Sequence, residues 1–213
     1  MTNDRGNPTH PPVVDQSELD PAQPPPVNPD VPSPARVWNV WLGGTDNFPV
    51  DRDPTVAQHA RSLLSSTREG KTDYLHADLR DPEAILAEAA RTLDLTRSVG
   101  VLLIAVLHFI PDADDPYGVV ARLLAGLPSG SYLVVAHAAS DLAPEAAAEM
   151  TRRNNQTSPV PITPRTQAEV TRFFDGLDLM PPGVVPVSEW DLGDAMDTTI
   201  GGLVGYAGIG RKP

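Results

Sequence analysis

"VGVLLIAVLHF", residues 99–109, decides how the rest of the chain is read. The run is apolar throughout up to His108, whereas a strand with one wet face would alternate polar and apolar residues. Uniform apolarity of this kind belongs to a central parallel strand covered by helices on both faces. The run is also shorter than the roughly 18 residues a membrane span requires.

Working outward, "TDYLHA" (72–77) and "SYLVVAHA" (131–138) read as neighbouring strands. Asp53-Pro54, Asp81-Pro82 and Asp115-Pro116 each set a capping carboxylate ahead of a proline. Proline suits the first helical position because no N–H is needed there. Apolar stripes follow at helical spacing: Val56, Ala60, Leu63 and Leu64; Ile85, Leu86, Ala89 and Leu93; Val119, Val120, Leu123 and Leu124. A fourth helix is predicted through "PEAAAEMTRR" (144–153). A fifth starts at the capping box Thr166-x-x-Glu169 and buries Val170, Phe173, Phe174 and Leu177. "GVVPVSEW" (183–190) and "LVGYAGIGR" (203–211) read as two more strands forming an antiparallel hairpin. Strand and helix alternate, so the expectation is an α/β fold with right-handed crossovers and a doubly wound sheet.

Residues 1–34 hold ten of the chain's 24 prolines and almost no large apolar side chain. Such a segment cannot bury enough surface to offset its ordering entropy, which predicts a disordered tail. The remainder, 35–213, is read as one α/β domain. It opens with "SPARVWNVWLGG" (33–44), where Val37, Trp38, Trp41 and Leu42 fall at helical spacing before Gly43.

A net charge of −12 argues against a nucleic-acid partner, which would be gripped by Lys and Arg. The absence of cysteine removes disulfides, thiolate metal sites and cysteine nucleophiles. Mean hydropathy of −0.20 and an N-terminus without an apolar core predict a cytoplasmic protein with no membrane association. The use of Arg over Lys, with abundant Ala, Asp and Pro, suggests a GC-rich bacterial genome.

In an open α/β sheet, ligands bind beyond the carboxyl ends of the strands. That rule selects Asp78-Leu79-Arg80-Asp81, then Leu107, His108, Phe109 and Ile110 with the acidic turn "PDADD", then His137, Ser140 and Asp141. Plainer readings compete. Asp81 and Asp115 are expected as helix caps, Asp112 and Asp114 as a solvated turn, and His59 and His76 as structural. His108 is as well explained by a pocket as by packing. The histidines have no metal-ligand spacing, and neither a G-x-S-x-G elbow nor a Walker loop occurs.

Together "SPARVWNVWLGGTDNFPVDR", "YLHADLRDPEAIL", "LLIAVLHFIPDADDPYGVVARLLAGLPSGSYLVVAHAASD" and "ITPRTQAEVTRFFDGLDLMPPGVVPVSEW" resemble a bacterial S-adenosylmethionine-dependent methyltransferase-like family, formerly a domain-of-unknown-function family. The likeness runs from about Pro32 to the end. It implies a Rossmann-like class I methyltransferase sheet, S-adenosylmethionine as cofactor and a small-molecule methyl acceptor. By the same likeness, Asp51 matches the ribose-binding acid, and Asp78 and Leu79 match the adenine side. Leu107 and His108 match the strand end that borders the methionine moiety. His108 and His137 are the candidates for a general base, should the acceptor need to lose a proton.

One stretch departs from the family pattern. In "NFPVDRDPTV" (47–56) the end of the family's opening and the end of its second strand are satisfied by the same residues, Val50 to Pro54. The Gly-rich loop, the first strand and most of the second are then missing, and the sheet should be incomplete. Weak or absent S-adenosylmethionine binding is the expectation that follows. A non-catalytic remnant or interaction module retaining part of the fold is the alternative to an enzyme.

Overall fold

Asp81 and Asp115 act as the sequence predicts. The Asp81 carboxylate accepts from the Ala84 amide at 3.1 Å and that of Asp115 from Gly118 at 3.0 Å, each ahead of a helix begun by proline. These helices are α1 (Pro82–Ala89) and α2 (Pro116–Ala125). α1 buries Ile85 and Ala89, and α2 buries Val119, Val120, Leu123 and Leu124. Complete burial of such an aliphatic side chain stabilises by roughly 1.5–3 kcal/mol. In this computed structural model the described residues are 50–51, 71–158, 160–190, 199–200 and 203–213, with backbone alone for 51, 199, 200 and 203. The expected tail (1–34), opening helix and helix after Asp53-Pro54 lie outside them.

Two sheets are formed. β1 (Val50–Asp51) and β2 (Leu75–His76) pair in parallel, with Asp51 opposite His76. The second sheet contains β3 (Gly100–Ile104), β4 (Tyr132–Ala138), β5 (Asp178–Leu179), β6 (Val185–Pro186), β7 (Thr199–Ile200) and β8 (Leu203–Arg211). β3 runs parallel to β4, with Gly100 opposite Tyr132 and Ile104 opposite Ala136. β8 lies antiparallel on the other side of β4 and also pairs with β5, β6 and β7. The predicted antiparallel pairing of the last two strand-like runs is therefore present between β6 and β8.

The strand predicted over 99–109 is corrected in its length. It ends at Ile104, because Ala105 takes a left-handed φ of 56° and turns the chain into a 3₁₀ turn over Leu107–Phe109. The apolar pattern continues past the strand because Leu107 is buried in that turn, 0% exposed, and no longer in the sheet. Among the described residues β3 pairs with β4 alone, and Val101, Leu102 and Ile104 are half-buried. The central strand is β4, whose residues Leu133 to Ala138 are all buried.

α3 (Pro144–Thr157) and α4 (Gln167–Thr171) complete the described helices. α4 begins at the predicted capping box, with both Thr166–Glu169 contacts made, and leads into a 3₁₀ turn at Arg172–Phe174. Phe174 lies over β8 where Gly208 and Gly210 leave room. A Cβ at Gly208 would come within 2.9 Å of Phe174 and of Val184. "AGIGR" is thus a packing surface for an aromatic ring. Directly after this stretch, the Lys212 ammonium donates to Leu124 O (2.9 Å) and Leu127 O (2.6 Å), covering carbonyls at and just past the end of α2.

Candidate functional site

The carboxyl ends of β2, β3 and β4 carry most of the residues singled out in the sequence. After β2, Asp78 turns back onto Arg80. Arg80 Nε and Nη2 reach the two Asp78 carboxylate oxygens at 3.0 and 2.6 Å. Arg80 Nη1 also donates to Asp114 Oδ2 at 2.9 Å, which ties this loop to the turn after β3. These side chains are 33–44% exposed, so the pairs contribute under about 1 kcal/mol each. Leu79 is half-buried against the main core. Asp51 contributes backbone to the β1–β2 pair, and its side chain lies outside the description.

After β3 and β4 the organising group is a residue the sequence reading passed over. Arg165, between α3 and α4, is only 2% exposed. Its backbone is tied to β4 through Arg165 N to Ala138 O and Ser140 N to Arg165 O, both 3.0 Å. Its guanidinium then reaches under the β3 turn. Nη1 donates to Leu107 O at 3.1 Å and lies 2.9 Å from His137 Nε2. Nη2 donates to Ile110 O at 2.9 Å and to Asp112 Oδ1 at 2.7 Å. The rings of Phe173 and Tyr117 flank it at 5.6 and 5.8 Å. Asp112 and Asp114 are consequently not a merely solvated turn, since an arginine holds each of them. A lone Arg in "TPRTQAE" has no local signature; only the fold brings its partners to it.

His137 is 0% exposed. Its Nδ1 lies 2.9 Å from Ala138 O, which can only accept, while its Nε2 faces a guanidinium, which can only donate. The ring must therefore carry its hydrogen on Nδ1 and offer Nε2 as acceptor. Burial pulls its pKa down to about 3; the Ala138 bond opposes this, and the Arg165 charge reinforces it. His108 is 6% exposed and stands edge-on to His137, ring centres 5.7 Å apart. Burial, then the Arg165 charge, lowers it to about 4. Its Nδ1 is buried with no partner, as is Arg165 Nε.

At the same carboxyl end of β4, Tyr206, paired opposite His137, shares a hydrogen bond with Asp141, and burial together with that bond pushes the phenol up to about 12. Asp141 also accepts from the Gln167 amide at 3.2 Å, at the start of α4. A shallow hollow of about 400 Å³ opens beside Ser140 and Pro164 against α3, and another of about 280 Å³ beside Leu142, Val187 and Val204. Neither is lined by Asp78, Leu107, His108 or His137. Among the described residues no cluster of acidic or histidine side chains could hold a metal ion, and no helix is long and apolar enough to cross a membrane.

A family profile described as S-adenosyl methyltransferase matches residues 50–213. The chain belongs to that family. S-adenosylmethionine is accordingly the family's cofactor, and the match begins at the first residue of β1. A DUF574-family protein from Streptomyces avermitilis MA-4680 is 36% identical, with a TM-score of 0.74 over 86% of this chain and 72% of that one. A candidate methyltransferase from Thermobifida fusca YX is 27% identical, with a TM-score of 0.66 over 81% and 74%. A SAM-dependent methyltransferase from Methanosarcina mazei shares the fold at 12% identity, TM-score 0.54, over 83% and 86%. The fold is thus the Rossmann-like sheet of class I methyltransferases. No curated protein gives a significant match.

Some of the residues present suit that cofactor. A partly exposed carboxylate at Asp78 beside apolar Leu79 can accept from the amino edge of an adenine and cover its face. A Gly-rich turn between a strand and a helix is not among the described residues.

Proposed function

We propose that this chain is an S-adenosylmethionine-dependent methyltransferase for a small molecule, working with a shortened cofactor half. The observation that carries this reading is the 2.9 Å bond from Arg80 to Asp114. It joins the loop of Asp78 and Leu79 to the acidic turn Asp112–Asp114, which follows the buried turn of Leu107 and His108 and so sets the adenine-side loop beside the methionine-side one. The acidity of the chain further favours a small acceptor over a nucleic acid.

The cofactor, when bound, supplies a methyl group on a sulfonium, which is already an activated leaving group. The residues of the chain then have to align and exclude water. Asp78 would accept from the adenine amino group, alongside its contact with Arg80. Leu79 would offer an apolar wall, and Asp51, by the family likeness, would take the ribose hydroxyls; Leu107, 0% exposed, supports the turn from inside the core. His137 has both ring nitrogens engaged and serves in position only. His108 is neutral at physiological pH but a weak base, which suits an acceptor whose nucleophile is already unprotonated.

A second reading, a non-catalytic module, is supported by β3. Its outer side has no described strand neighbour, as expected if the family's first strand is absent. More than a quarter of the Streptomyces relative likewise has no counterpart in this chain. Calorimetric titration of the folded protein with S-adenosylmethionine separates the two. Binding at micromolar concentration supports the enzyme. No binding, regained in a variant with a family-like loop inserted at residue 51, supports the remnant.

A further inference from the structure

We propose that Arg165 is a positioning residue. It sets the turn after β3 against the end of β4 and holds His137 with Nε2 as the acceptor. What that turn is used for rests on the methyltransferase reading; the positioning itself does not.

Each group that the guanidinium holds lies at the carboxyl end of one of two neighbouring parallel strands. Leu107 O and Ile110 O belong to the turn after β3, Asp112 to the acidic segment beyond it, and His137 to β4. Relative exposure decides which contacts matter. Asp112 is 68% exposed, so its charge is well solvated and the ion pair alone explains little. Ile110 O and His137 Nε2 are buried and accept from Arg165 alone among the described residues, so an apolar side chain at position 165 would strand both. Arg80 holds the same turn from its other end, but at the surface, where its grip is weak. Lysine could not replace Arg165 fully: an ammonium has three donors on one atom and cannot span two carbonyls, a carboxylate and an imidazole as the planar fork does. Two buried polar atoms of this cluster, His108 Nδ1 and Arg165 Nε, are left unpartnered.

The test compares wild type with Arg165→Met, Arg165→Lys and Asp112→Asn. Long-range ¹H–¹⁵N spectra of the histidines should show wild-type His137 as the Nδ1–H tautomer with no titration between pH 5 and 8. In Arg165→Met that signature should give way to mixed tautomers or a titration in this range. Amides of Phe109 and Ile110, which close the turn, should exchange at least tenfold faster, while those of Leu133 to Val135 keep their protection. Affinity for S-adenosylhomocysteine should fall at least tenfold, with Arg165→Lys intermediate and Asp112→Asn near wild type. An unchanged His137 signature and unchanged exchange at 109–110 in Arg165→Met would overturn the proposal. Should that variant not fold, Arg165→Lys decides: identity with wild type in spectra and exchange overturns it, and intermediate behaviour supports it. A wild type that binds no S-adenosylhomocysteine removes the methyltransferase reading, and the spectra and exchange still decide the role of Arg165.

Discussion

Arg165 Nη1 and His137 Nε2 lie 2.9 Å apart in a part of the core where both residues are almost wholly out of solvent. A donor-only group against a ring nitrogen leaves that nitrogen no proton to carry. With His108 beside it, the chain holds two histidines whose burial favours the neutral form.

Acid should therefore destabilise the fold above the range where carboxylates titrate. In the unfolded chain both histidines titrate near 6.5; in the folded chain they do so at about 4 and about 3. Their contribution is complete above pH 6.5. It is lost progressively as pH falls toward 4, because the unfolded state binds protons first. The slope is about 1.4 kcal/mol per pH unit for each histidine. Urea midpoints measured between pH 7 and 5 should decline, and replacing His108 by Phe should make the decline shallower. A flat profile would contradict the neutral pair.

Gly208→Ala should destabilise by about 1–3 kcal/mol, since the new methyl meets Phe174 and Val184 at 2.9 Å. Trimming the ring with Phe174→Leu in the same chain should recover part of the loss relative to the two single changes. A double-mutant cycle in thermal or urea unfolding gives the coupling. Additive losses would mean the glycine and the ring are not in contact.

Lys212 holds the carbonyls of Leu124 and Leu127. Lys212→Met keeps the apolar stem and removes the ammonium, and should cost about 1 kcal/mol. Exchange should quicken in the last turn of α2 in particular. A loss of the same size spread over the whole sheet would point to packing of the stem instead.

Asp78→Ala should leave the fold intact, because the exposed Arg80 pair contributes under about 1 kcal/mol. Any affinity for S-adenosylmethionine should fall about tenfold or more, as for a charge-assisted hydrogen bond worth roughly 1.5–3 kcal/mol. Arg80→Ala is the informative partner: it removes the bond to Asp114 that joins the two loops, and should lower affinity as well. Equal binding by wild type and Asp78→Ala, both folded, would exclude Asp78 from the site.

The helix starts were legible in the sequence because their causes are local. Asp81, Asp115 and the Thr166–Glu169 box bond to amides three residues away, so the residues that cap are adjacent to what they cap. Strand runs such as 131–138 and 203–211 were legible for the same reason, as was the line of residues at the strand ends. Tertiary structure alone decided the rest. That β4 has partners on both sides depends on β8, which is some 70 residues away from it in sequence, inserting antiparallel beside it. An apolar pattern reports burial and not the number of neighbouring strands, and it could not tell the last residues of β3 from the buried turn that follows. Arg165 was invisible because its partners are 28 to 58 residues distant. A polar cluster assembled over such separations has no spacing to read, and only the packed fold shows that the cation, the turn carbonyls and His137 satisfy one another.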